Sequence, residues 1–347
     1  MSSPSLTTSP QQASRWVLAP GIVLATGIGA LALVLGKAAP LIGGPVIGIV
    51  LGMVIRNTLA LPASYGPGVA FASKKILQWS IIALGFGLSL DQVVKTGFES
   101  LAVTLVTMSV AFLTAWLLGR WLHVHGKLAI LIGVGTAICG GSAIAATTPI
   151  IRADEHDTAF AISTIFLFNV IAVLLFPLLG HLLQMSDLGF GLWAGTAIND
   201  TSSVVAAGYS YSKTAGDFAT IVKLTRATLI IPVCLVLAML VAARERRSAQ
   251  VAGGSANFSL GRIFPWFILW FAVASALRTV GLIPPAIQPA LHAAAEFLII
   301  VALTAVGLSA DVRRMISSGA RPILLGLGTW VAVALSSLAV QYLGHQL

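Results

Sequence analysis

Apolar residues gather along the chain into eleven long runs, at residues 16–35, 41–59, 76–90, 101–122, 128–151, 159–183, 188–209, 218–243, 263–280, 293–308 and 323–343. Most approach the roughly 20 residues an α-helix needs to cross a hydrocarbon core. The pattern predicts an all-α integral membrane protein of about 11 hydrophobic segments. It forms one polytopic unit over 16–347, behind a tail at 1–15. The tail is Ser, Thr, Pro and Gln with one Arg, and lacks the basic start and small-residue cleavage site of a signal peptide. It reads as disordered, with Trp16 anchoring the first run at the interface.

Two runs are interrupted by small and polar residues. One carries GTAICGGSAIAAT at 135–147, the other GTAINDTSSVVAAG at 195–208. Backbone that leaves the helix at membrane depth survives only inside protein or beside a water-filled cavity. Paired interruptions of this kind point to the binding site of a secondary transporter. The pattern leaves open whether these are broken spans or re-entrant hairpins at the midplane, and broken helices are the preferred reading. As hairpins the two would enter from opposite faces. A second repeat, GLSLD at 87–91 and GLSAD at 307–311, closes the third and tenth runs. Seven elements separate the copies, so they run antiparallel, as inverted repeats do. The GTAI pair lies between those copies and does not share their register.

Charge then sets orientation. Apolar residues are 57% of the 347 and charged residues 9%, against about a quarter charged in soluble domains. The net charge of +9 sits in short loops, around Arg56 with Lys74 and Lys75, Arg120 with Lys127, Arg244 to Arg262, and Arg313 to Arg321. Such loops face the cytoplasm and anionic lipid. The expectation is a multi-pass protein in a lipid bilayer, its N-terminus on the cytoplasmic side and its C-terminus on the outer side. No basic domain exists to bind nucleic acid.

The candidate chemistry centres on the GTAI segments. Asn199, Asp200, Thr201, Ser202 and Ser203 converge several oxygens where the second segment is weakest, suiting a cation or coupling proton; as N-cap residues they also fit a plain helix start. Cys139, Gly140, Gly141 and Ser142 open a half-helix whose N–H groups and dipole suit an anion, or serve small-residue packing. Lys223 and Arg226 lie three apart on one helical face, and counting from Phe218 puts Arg226 about 12 Å into its run. They either face a cavity and attract a divalent oxyanion or snorkel at the outer interface. Asn169 either bonds across helices or lines the cavity. Ser89 and Ser309 are expected to cap short helices carrying Asp91 and Asp311. Asp154, Glu155, His156 and Asp157 read as an exposed loop rather than a metal site. Cys139 and Cys234 read as structural thiols. No nucleotide loop, GxSxG or HExxH is present, so no cofactor is implied and the protein is not read as an enzyme.

At GTAICGGSAIAA, GTAINDTSSVVAAGYSYS, KLTRATLIIPVCL and the two GLSxD turns, the chain resembles the YeiH-type sulfate exporter family over nearly everything after the tail. The resemblance implies a multi-pass bacterial inner-membrane carrier, akin to cation/proton antiporters. Two functions follow as expectations. The first is a secondary exporter of a small inorganic or sulfur-containing anion such as sulfate, coupled to a proton or monovalent cation. The second is a cation/proton antiporter using Asp200. A homodimer is expected by analogy with such carriers.

Overall fold

The computed structural model describes residues 15–39, 43–248, 266–313 and 319–344. All but Arg15 of the expected tail lies outside them, as do Arg262 and Arg314. Among the described residues the chain forms helices and no strand. In order these are α1 (Arg15–Ala38), α2 (Gly43–Thr58), α3 (Gly66–Phe71), α4 (Leu77–Gly85), α5 (Leu90–Trp121), α6 (Gly126–Ala137) and α7 (Gly141–Ile151). Then follow α8 (Glu155–Leu182), α9 (Asp187–Ala197), α10 (Thr201–Tyr211), α11 (Lys213–Thr228) and α12 (Ile230–Ser248). The last three are α13 (Trp266–Thr279), α14 (Gln288–Ser309) and α15 (Ala320–Leu343). A π-turn at Ala72–Ile76 joins α3 to α4. Six stretches, α11 with α12 counted as one, are long and apolar enough by themselves to cross a membrane.

The two GTAI segments are re-entrant hairpins, not broken spans. Lys127 at the start of α6 donates from Nζ to the carbonyl of Arg152, just past the end of α7, at 2.6 Å. His125, before α6, meets Asp157 in the first turn of α8 at 3.2 Å. The chain therefore returns to the face it left. The second hairpin closes in the same way. Tyr211, the last residue of α10, donates its hydroxyl to Met185 O at 2.5 Å and stacks on Phe190 with ring centroids 3.9 Å apart. Both partners lie at the entry to α9. Helices of 12 and 11 residues in the first hairpin, and of 11 and 11 in the second, run about 16–18 Å. That reaches the middle of an about 30 Å hydrocarbon core and no further. The 28 residues of α8, about 42 Å, separate the two entrances. The hairpins thus enter from opposite faces.

Side-chain caps fix where these elements start. Ser89, Asp154, Ser186 and Ser212 each accept a backbone N–H from the first turn of α5, α8, α9 and α11. Ser89 caps as expected, but the helix it opens is the 32-residue α5 rather than a short one. Ser309 does not cap: it ends α14 and donates to Ala305 O at 2.9 Å, while Asp311 meets Arg56 at 3.8 Å. Asp154 to Asp157 is the opening of α8 rather than a loop, and Asp157 is buried.

Packing divides the helices into two groups. The hairpins, α5, α8 and α15 share the largest apolar core. On the other side α1, α2, α3 and α4 pack around α14. There Gly44 and Gly48 bring α2 against α14: a Cβ at Gly44 would lie 2.9 Å from Ile300 Cδ1, and one at Gly48 2.7 Å from Thr304 Oγ1. Such small residues at i and i+4 are how membrane helices approach closely. The two GLSxD copies end at opposite faces, with α4 on α14 and α5 on α15. Gly87 lies near His292 in the first turns of α14, and Leu118, near the end of α5, lies against Gly328, the ninth residue of α15. Both pairs are antiparallel, in keeping with inversion.

Single cysteines at Gly126 and Ala153 are expected to react with a membrane-impermeant maleimide from one side of the membrane, and cysteines at Leu188 and Thr214 from the other. Reaction of Gly126→Cys and Ala153→Cys from opposite sides would restore the broken-span topology.

Candidate functional site

The hairpin tips meet at the centre of the bundle. The first tip turns through Ile138 (φ −122°, ψ −89°), Cys139 and Gly140 (φ +66°), a left-handed conformation that favours glycine. The second runs extended through Ile198 (φ −85°, ψ 135°), Asn199 and Asp200. A Cβ at Gly140 would lie 3.6 Å from Asp200 Cβ and 3.7 Å from Asn199 O. Each tip leaves the carbonyls of a half-helix C-terminus without intrahelical partners. In lipid such groups have no water to turn to.

Helix α11 supplies the partners. It packs along α9 and brings in Lys223 and Arg226, both 0% exposed. Lys223 Nζ donates to Ile138 O at 2.7 Å and to Ile198 O at 3.1 Å, one carbonyl from each tip. Arg226 Nε donates to Ala137 O at 2.7 Å and Nη1 to Thr196 O at 2.5 Å, while Nη2 reaches Thr136 O. Nη1 also approaches Ile198 O at 3.3 Å. The planar fork of an arginine suits this divergent set, and each bond to a charged donor is worth about 1.5–3 kcal/mol.

Two buried cations need counter-charge. The C-termini of α6 and α9 each carry about half a negative charge, and Asp200 lies within electrostatic reach of Lys223. Together these roughly balance the pair. Sequence reasoning correctly placed both cations on one face, but expected an anion or the interface to receive them. Instead their hydrogen bonds go to backbone, and neither side chain snorkels.

The N-termini of α7 and α10 also start at the tips, and they differ. Asp200 caps α10: its Oδ2 accepts from Ser202 N at 2.9 Å and from the Ser202 hydroxyl. The positive end of α10 is thus covered by the chain's own carboxylate. Thr201 and Ser203 complete that first turn, Ser203 being buried. Gly140 precedes α7 and provides no side-chain cap; Ser142 in its first turn is exposed. Cys139 is a buried free thiol beside it, and Cys234 lies elsewhere in the core.

Asn169 joins the site from α8, its Oδ1 accepting from Asp200 N at 3.2 Å. Its Nδ2 has no hydrogen-bond partner, nor does either amide atom of Asn199, which is 0% exposed. Buried amides are normally satisfied, and orphaned ones call for a water, ion or ligand. All the candidate residues except the two cations therefore lie on or beside the tips with polar capacity to spare or committed to α10. The Asp154, His156 and Asp157 group could gather around an ion, but it sits at the face where the first hairpin enters. Tyr209, Asp217, His292 and Glu296 escaped sequence reasoning. Glu296 could have been found from its place inside an apolar run.

Comparison with known proteins finds similarity to a family of membrane proteins. Residues 20–326 match the family described as conserved hypothetical protein 698. A UPF0324 membrane protein of Fusobacterium nucleatum is 44% identical over 341 residues, covering 92% of this chain and 96% of its own. UPF0324 membrane proteins of Streptococcus pyogenes and Streptococcus agalactiae are 42% and 41% identical, each covering 93% of this chain and 96% of their own.

Replacing Arg226 by Met leaves several carbonyls unpartnered at membrane depth. The loss expected is about 3–5 kcal/mol, read as a collapse of the monodisperse peak and of the thermal transition in detergent. Arg226→Lys should recover only part of the loss, because one ammonium cannot reach all the carbonyls of Thr136, Ala137, Thr196 and Ile198 that the spread guanidinium fork serves. A stable, monodisperse Arg226→Met protein would contradict the clamp.

Proposed function

The chain belongs to the conserved hypothetical protein 698 family, the UPF0324 membrane proteins that the YeiH-type motifs denote, and we propose that it is a secondary active transporter of a small anion. The observation that carries this reading is the meeting of two hairpins from opposite faces at one central point. Irregular backbone at that depth is costly and recurs where transporters hold their cargo. A fixed central site reached from either side is also what alternating access requires.

Within this reading the cargo binds at the free end of α7. Its first-turn N–H groups and the positive end of its dipole face the tip junction, with Ser142 and Asn199 beside them. The end of α10 is filled by Asp200 and serves as the template: a carboxylate already occupies there the position a cargo oxyanion takes at α7. A tetrahedral sulfur oxyanion such as sulfate or sulfite matches these donors and the family resemblance. Lys223 and Arg226 hold the tips and supply positive potential without touching the cargo. The basic loops orient the N-terminus to the cytoplasm of a bacterial cell and the C-terminus to the periplasm. Export, a coupling proton or monovalent cation, and a homodimer complete the proposal. The second reading, cation/proton antiport at Asp200, draws on the unpartnered Asn199 amide next to it.

Ser142→Asp puts a carboxylate into the first turn of α7, where it stabilises the helix and mimics bound cargo. In proteoliposomes this variant is expected to lose at least about tenfold in sulfite or sulfate flux while Ser142→Ala stays near the parent, tenfold being about 1.4 kcal/mol of binding. Unchanged flux in Ser142→Asp would remove the cargo from α7. Asp200→Asn, which keeps a good N-cap, is expected to retain anion flux. Its loss together with an anion-independent Na⁺ or K⁺ flux in the parent would favour antiport.

A further inference from the structure

Away from the tips, two adjoining cavities of about 430 and 380 Å³ lie between the hairpin group and the α14 group, on the face where the second hairpin enters. They share Ala293 and Glu296 of α14. In a chain with only 9% charged residues, the concentration of ionisable groups here is unusual. Lys213 and Asp217 come from α11, Tyr209 from α10, His292 and Glu296 from α14, and Lys37 from α1. The walls formed by α2 and α4 add no charge: Gly43, Gly44 and Pro45 on one, Leu84, Gly87 and Leu88 on the other.

Two features set this cleft apart from a solvated surface. Glu296 is the ninth residue of α14, about 12 Å from its start, yet is exposed. A carboxylate at such depth faces water in a cavity rather than lipid. Second, Asp217 is hydrogen-bonded by the Tyr209 hydroxyl. The Tyr209 ring lies directly on Gly216, where a Cβ would come within 2.5 Å of the ring. That bond ties the return arm of the second hairpin to α11. Six residues further along α11, about 9 Å, stands Lys223, which holds both tips. The carboxylate in the cleft and the clamp on the tips are thus parts of one rigid helix.

We propose that this cleft is the outer port for the coupling proton, and that Asp217 is the group that takes the proton up. The inference rests on the transporter reading and assigns its coupling site. The step is a simple protonation: a hydronium ion in the cleft passes its proton to the Asp217 carboxylate, its O–H bond breaking as the carboxyl O–H bond forms, and the neutral acid and a water molecule remain. Before it, Tyr209 donates a charge-assisted bond; afterwards only a neutral bond about half as strong remains between α10 and α11. Lys213, His292 and Glu296 line the same cavity as Asp217, so charged and titratable groups from α11 and α14 face it across the water-accessible cleft. Protonation therefore loosens the second hairpin from α11 without disturbing the clamp directly, which allows one group to rock against the other.

The test has two arms. In membranes, a cysteine at Ala293, which lines both cavities, is labelled with an impermeant maleimide at about pH 5.5 and about pH 8, its rate normalised to a Lys95→Cys reference to remove thiol ionisation. A normalised change of about threefold or more is expected in the parent, none in Asp217→Asn, and recovery in Asp217→Glu. In proteoliposomes, Asp217→Asn should keep sulfite–sulfite exchange yet lose its acceleration by a proton gradient. An Asp217→Asn protein whose labelling follows the parent's pH profile, or whose exchange still responds to the gradient, overturns the assignment. If no sulfur oxyanion moves even in the parent, the cargo reading fails while the labelling arm still decides the role of Asp217.

Discussion

Backbone carbonyls that end a helix in the middle of a membrane must find donors inside the protein, and in this chain Lys223 and Arg226 provide them. Everything else at the centre depends on that contact. Five carbonyls from two hairpins, Thr136, Ala137, Ile138, Thr196 and Ile198, receive bonds from two side chains one helical turn apart. The cations are buried without a carboxylate in contact among the described residues. They are balanced by helix ends and by Asp200 nearby. Fixed positive charge is committed here to the chain's own backbone carbonyls.

With the cations committed to carbonyls, the two half-helix N-termini at the tips differ in how each is capped. Both tips are entered through GTAI and then diverge, CGGS against NDTS. The divergence has a physical meaning once the tips are seen together. One end is filled by its own aspartate; the other is left open by glycine. A pair of identical ends facing one another would present two anion sites of equal strength. On the transporter reading proposed above, one open end and one filled end give a single site with the potential of both cations behind it.

Much of this was legible in the sequence. The apolar runs marked the helices, GTAI marked the interruptions, and the spacing of Lys223 and Arg226 put them on one face. Hairpins could not be told from broken spans, because the local pattern is the same in both. The distinction lies in contacts such as Lys127 with Arg152 and Tyr211 with Met185, which join residues 25 and 26 positions apart. The partners of the cations were hidden for a related reason: unsatisfied carbonyls leave no mark in residue type. Ser309 misled because its motif matches Ser89 while its helix ends rather than begins. Asp217 lay just ahead of its apolar run and Glu296 inside one, both inconspicuous beside the GTAI segments.

The meeting of the tips can be measured directly. A Cβ at Gly140 would stand 3.6 Å from that of Asp200, within the roughly 3.5–4.5 Å that a disulfide spans. In a background with Cys139 and Cys234 replaced by alanine, the G140C/D200C protein is expected to form an intramolecular disulfide on mild oxidation, seen as one cross-linked peptide pair by mass spectrometry. Each single variant should give none. A folded, monodisperse double variant whose two thiols stay free under the same oxidation would contradict the central contact between the hairpins.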